Sequence, residues 1–117
     1  MLSVKHRQHM NEYQQEIVSY FGYWPAFCDA PILSYEEIDG RLTLEIEYID
    51  TEKCLHAKIE LIFYGVSESE LSEFEKGSVI DTMRILSGNV HRVEIEPCYG
   101  IGGNFKCTSI QAKIQNA

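Results

Sequence analysis

Two residue types in this 117-residue chain could do chemistry if brought together: four cysteines and four histidines. Cys28 beside Asp29 is the one place where a potential nucleophile sits next to a potential orienting carboxylate. A thiol enzyme would also need a histidine within hydrogen-bond reach of Cys28. Nothing in the sequence supplies it: His6 and His9 fall in a polar leader, and His56 and His91 fall on strand-like segments. An inert, buried thiol is the plainer reading of Cys28. The cysteines (Cys28, Cys54, Cys98 and Cys107) form no Cys-x-x-Cys pair and lack zinc-site spacing, so no metal or cofactor is expected. They read as free thiols, mostly buried as small hydrophobes. Cys98 and Cys107 flank a Gly-rich turn and could face each other across a hairpin; a disulfide there would need an oxidising compartment, and two thiols are favoured.

Carboxylates are abundant, but acid–base catalysis needs one whose pKa is shifted by burial, and the pairs here, such as Glu45 and Glu47, read as exposed. The Gly-rich run 100–103 lies between two strand-like segments, whereas a phosphate cradle opens a helix. No positive case for an enzyme emerges. Net charge is −8 and concentrated: residues 36–75 carry twelve carboxylates against Arg41, Lys53 and Lys58. Such a field repels nucleic acid and attracts basic partners. It also suits a plain solubilising surface. The first ten residues have no apolar core of a secretory signal, and no apolar run reaches membrane-spanning length. A cytoplasmic protein with no membrane association is the expectation.

The elements that must position these residues follow from periodicity. Residues 1–9 are polar and expected to be frayed, within a single domain spanning 1–117. Asn11 with Gln14 has the spacing of a capping box. Tyr13, Ile17, Val18, Tyr20 and Phe21 then form one helical stripe, stopped by Gly22. Pro25 and Pro31 make residues 23–31 an extended elbow, with Trp24 and Phe27 as core anchors and Asp29 as a turn acceptor.

Alternation then predicts strands over 32–39, 41–49, 54–64, 79–86, 90–96 and 105–114. Leu33 and Tyr35 share one face in the first of them. Asp39-Gly40 is a hairpin turn, and Pro97 ends the fifth strand. Residues 65–77 read as irregular, with at most a short helical turn. In the last strand Thr108, Ile110, Ala112 and Ile114 share a face. The predicted fold class is α+β: one N-terminal helix packed on a twisted, mainly antiparallel sheet of about six strands.

The elbow also carries a resemblance. Phe21-Gly-Tyr-Trp-Pro-Ala-Phe-Cys-Asp-Ala30 resembles the G-x-W-P-x-F-H-D-A segment of the immunity protein 50 family of bacterial polymorphic toxin systems. Leu61-Ile-Phe-Tyr-Gly-Val66 and the Gly103 to Cys107 strand are compatible with the layout of that family. The matching positions are Gly22, Trp24, Pro25, Phe27 and Asp29; Cys28 departs, standing where the family has histidine. The resemblance implies a non-catalytic immunity protein that binds and neutralises a cognate toxin; the acidic field suits a basic one, and a monomer or weak homodimer is expected. The hypothesised contact surface is the acidic one: Glu36, Glu37, Asp39, Glu45, Glu47 and Glu60, with Lys58 among them. Two other readings stay open: a small ligand-binding or enzymatic domain with a pocket between helix and sheet, and a module that dimerises through a sheet edge.

Overall fold

The computed structural model describes residues 11–115. The expected fraying of residues 1–9 therefore lies outside the described residues. Among the described residues, helical structure begins at Glu12. A 3₁₀ turn, Glu12–Gln14, runs into α1, Gln15–Phe21. The Asn11–Gln14 capping box does not form. No side-chain cap bond is made, and the Asn11 amide donates instead to Ser87 Oγ at 3.2 Å.

Ile17 and Phe21, four residues apart on one face, are the two buried residues of α1. Gly22 ends it at φ 90°, its N–H donating to Val18 O at 2.7 Å. Only glycine takes that left-handed conformation without penalty. Lys53 Nζ then donates to Phe21 O at 2.6 Å, placing a cation at the helix C-terminus, where the macrodipole favours it.

Eight strands follow, not six: β1 (Ala30–Ile38), β2 (Arg41–Asp50), β3 (Leu55–Tyr64), β4 (Ser67–Leu71), β5 (Val79–Leu86), β6 (His91–Tyr99), β7 (Gly103–Cys107) and β8 (Ser109–Gln115). Their order is β4-β7-β6-β5-β1-β2-β3-β8, and every neighbouring pair is antiparallel. The first extra strand is Ser67–Leu71, in the segment expected to be irregular. Its sequence, Ser-Glu-Ser-Glu-Leu, has little strand propensity. Pairing with β7 satisfies its backbone, and tertiary context overrides propensity.

The second extra strand arises because the predicted last strand breaks at Thr108. Thr108 N–H and Oγ1 both donate to Tyr64 O, at 2.8 and 3.1 Å, and bend the chain from β7 into β8. Gly65 sits against this corner at φ 66°, where a Cβ would collide with the Thr108 side chain.

The sheet is folded over on itself. Phe63 on β3 and Phe105 on β7 meet edge to face at 5.0 Å, although their strands lie second from opposite ends of the order. Two corners make this possible. One is Thr108. The other is β1, whose Ala30 and Pro31 pair with β5 while Ile32 onward pairs with β2. A register shift between Ile32 and Ser34 turns both Ile32 and Tyr35 inward. Leu33, expected to share a face with Tyr35, is consequently turned away from it and 42% exposed.

Leu42, Leu44, Ile46, Ala57, Ile59, Leu61 and Phe63 form one wall of the core. Ile80, Met83, Val93, Ile95, Phe105 and Cys107 form the other. Ile17, Phe21 and Phe27 close the end between them.

Pro97 does not end β6, which runs on to Tyr99. Register places Cys107 opposite His91 and Cys98 beside Val79, so those two cysteines do not face each other. Only Cys107 is buried; Cys28, Cys54 and Cys98 are exposed, against expectation. Among the described residues, no helix is long and apolar enough to cross a membrane.

Candidate functional site

The acidic residues of the first two hairpins lie where strand alternation sends them, with two exceptions. In β2 and β3 the core residues take one parity, so Glu45, Glu47, Lys58 and Glu60 share the outer face, all partly exposed. The β1 register brings Glu36, opposite Thr43, onto the same face.

Glu37 lies opposite Leu42, on the inner parity, where it accepts a hydrogen bond from Tyr35 Oη at 2.9 Å. The Tyr35 ring stacks on Phe74 at 5.5 Å. Burial, and then the Glu37 carboxylate, push the Tyr35 phenol up to about 12. Asp39 sits in the turn at φ 48° beside Gly40 at φ 77°, the paired positive values of a type I′ hairpin. The expected six-carboxylate patch thus resolves into four on one face, one at the turn and one on the opposite side.

On that face Glu45 is directly opposite Glu60 across the β2–β3 ladder. Like charges in that position are destabilising. Lys113 on β8 stands opposite Glu60, and Lys58 opposite Glu47. Glu47 Oε2 there lies within hydrogen-bond distance, 2.7 Å, of His56 Nε2. The result is a solvent-facing surface on which carboxylates outnumber cations.

The elbow is built differently. Phe27 is fully buried at φ 56°, and Pro25 is buried beside it. Trp24 is only partly buried, edge to face with Tyr13 at 5.4 Å and Phe27 at 5.6 Å. Backbone bonds from Met83 N to Ala26 O and from Asp29 N to Ile80 O, both 2.8 Å, fasten the segment to β5. Tyr23 Oη donates to Asp50 Oδ2 at 2.7 Å and lies 2.8 Å from Tyr48 Oη, tying the helix exit to the β2–β3 loop. That hydrogen bond is the main cause holding the Asp50 carboxyl below its ordinary value.

Asp29 is not a turn acceptor. It is exposed, at φ 62°, with its carboxylate 3.9 Å from Cys98 Sγ. Cys28 is exposed beside it, and Asp81 of β5 completes the group. The approach of Asp81 and Cys98 to this place is not legible in the sequence, because it depends on two strand-register shifts that no local pattern encodes.

A third feature is an open groove of about 850 Å³ between the helical segment and β8, lined in part by Tyr13, Glu16, Tyr64, His91 and Gln111. It lies where the ligand-binding reading expects a pocket. Among the described residues, Tyr13 Oη and His91 Nδ1 are buried without a hydrogen-bond partner.

A scan against protein-family models found no match, and neither curated proteins nor solved structures contain a significant relative of this chain.

Proposed function

We propose that this protein is an immunity protein that binds a cognate bacterial toxin and blocks it by direct, non-catalytic association. The observation that carries the proposal is the outer face of β1–β2–β3. Glu36, Glu45, Glu47 and Glu60 sit there in regular register, with Glu45 held against Glu60 at a cost to stability. A surface that tolerates such a pair is explained by a partner that supplies the missing positive charge. Toxins that attack nucleic acid tend to have basic active sites, and an acidic inhibitor docks there with electrostatically steered association. The Trp-Pro elbow that resembles immunity protein 50 supports the same reading from sequence.

A toxin gene found adjacent to this one would supply the partner to test. Binding is measured for the native chain and for a Glu45→Lys, Glu47→Lys, Glu60→Lys variant across a salt series. The proposal expects tight native binding that weakens with salt, and a variant that loses both the affinity and the salt dependence. Unchanged affinity in the variant would sink it.

A second reading, a small-ligand site in the groove beside β8, is favoured by the two unpaired buried atoms, Tyr13 Oη and His91 Nδ1. A small molecule retained in native mass spectrometry and lost on His91→Leu would support that reading. Edge dimerisation has less support. Ile114 N–H on the β8 edge donates to Glu16 Oε2 at 2.8 Å, and the short β4 edge carries exposed Glu68 and Glu70.

A further inference from the structure

The elbow, β5 and β6 converge on a group that the acidic face does not use. Cys28 Sγ and carboxylate oxygens of Asp29 and Asp81 all lie within 4.8 Å of one another. Cys98 Sγ joins them, 3.9 Å from Asp29 Oδ1 and 3.9 Å from Asp81 Oδ1.

Two of the four residues reach this place through irregularities of the ladder. Val79 pairs with Tyr99 and Ile80 with Pro97, which leaves Cys98 as an extra residue on β6. Ile80 pairs with Pro97 and Thr82 with Glu96, which leaves Asp81 as an extra residue on β5. A bulge re-aims the side chain it carries, and here two bulges on facing strands aim a thiol and a carboxylate at one point.

The donors are two soft sulfurs and two hard oxygens from three separate elements, all exposed to solvent. Among the described residues, neither Asp29 nor Asp81 makes a salt bridge to a Lys, Arg or His. Among the described residues, these four potential anions thus lie together with no cation paired to either carboxylate.

We propose that Cys28, Asp29, Asp81 and Cys98 form a site for a thiophilic divalent cation, with Zn²⁺ the best fit. Thiolates select zinc over magnesium and calcium, and four protein ligands match the tetrahedral coordination zinc adopts. Zinc–sulfur bonds of about 2.3 Å and zinc–oxygen bonds of about 2.1 Å place tetrahedral S and O ligands about 3.6 Å apart. The Cys98–carboxylate distances of 3.9 Å are already within a few tenths of that value. Exposed Cys28 has the rotameric freedom to close the rest. On binding, each thiol gives its proton to solvent as its sulfur bonds the metal. The cation would clamp the elbow to the bulged ends of β5 and β6, beside the backbone bond from Asp29 N to Ile80 O.

The test uses the full chain, reduced and handled without oxygen, titrated with Co²⁺ as the spectroscopic stand-in for Zn²⁺. The expected result is saturation at one equivalent, with thiolate-to-cobalt charge-transfer absorption and the ligand-field bands of tetrahedral cobalt, both bleached by Zn²⁺. Zn²⁺ should also raise the melting temperature, because it binds the folded state alone. Cys28→Ser and Cys98→Ser should each remove about half of the charge-transfer intensity and weaken binding roughly tenfold or more. Cys54→Ser, remote from the site, should change neither. All four side chains are exposed, so circular dichroism should show the variants folded.

Three results would each overturn the proposal. One is no saturable binding by protein whose thiols are demonstrably reduced. Another is undiminished binding by the Cys28→Ser, Cys98→Ser double variant, which would place the metal elsewhere on the chain. The third is a Cys28–Cys98 disulfide trapped by alkylation in the cells that make the protein.

Discussion

The outer face of β1–β2–β3 and the elbow at residues 22–31 differ in how their geometry is made. The face rests on uninterrupted register: nine consecutive β2–β3 pairs run from Leu42↔Phe63 to Asp50↔Leu55. Its side chains go where parity sends them, and its distinctive property is charge. The elbow and the strands beneath it rest on departures from regularity: Phe27 and Asp29 at positive φ, and register shifts on both sides of Ile80. Its distinctive property is convergence of residues far apart in sequence. Substitutions on the face should therefore alter recognition with little effect on folding, whereas substitutions in the elbow should do the reverse.

The largest expected effect is in the elbow. Phe27→Ala should cost about 3–5 kcal/mol in denaturant unfolding, because the ring is fully buried between Trp24 and Tyr48. Trp24→Ala should cost less, about 2 kcal/mol, since the indole is only partly buried and loses two edge-to-face contacts. A Trp24 loss equal to that of Phe27 would show that the elbow's outer aromatic is as much a core residue as its inner one.

At the corner between the layers, Gly65→Ala should cost about 1–3 kcal/mol. It combines a left-handed backbone with a collision against Thr108. A neutral result would mean that the corner can relax.

Tyr35 gives a pH test on the side of β1 that faces away from the acidic patch. Its phenol is held protonated up to about 12, whereas an unfolded tyrosine ionises near 10. Between these values the unfolded state loses the proton and the folded state keeps it, so stability must fall as pH rises through that window. Tyr35→Phe should flatten the alkaline limb of the unfolding midpoint, and a limb of unchanged steepness would contradict the geometry around Glu37.

The smallest stability effect belongs to the face. Glu45→Gln should raise stability by a few tenths of a kcal/mol, about 0.2–1, by relieving the opposition to Glu60. A clear loss would mean that the carboxylate has a structural role.

The same contrast explains what was legible in the sequence. Strict alternation in 42–48 and 55–63 made β2, β3 and their core face readable residue by residue. Asp39-Gly40 named its own turn, and Gly22 its helix stop. What escaped depended on partners distant in the chain. Ser67–Leu71 is a strand because β7 pairs with it. Thr108 breaks a strand because Tyr64 O captures it. Leu33 faces out because β1 carries a register shift. Glu37 lies off the acidic patch because it shares the parity of inward-facing Tyr35, two residues before it. The approach of Cys98 to Asp29 and Asp81 required two such shifts, so it could not be placed from spacing alone.

The central claim is that the face carries recognition. The most direct measurement compares toxin binding by two single charge reversals, Glu45→Lys on the outer face and Glu37→Lys on the opposite side of the same sheet. The account predicts that Glu45→Lys weakens binding about tenfold, mainly through a slower association rate at low salt, and that Glu37→Lys leaves affinity within about twofold. Equal losses from both, or a loss from Glu37→Lys alone, would contradict it.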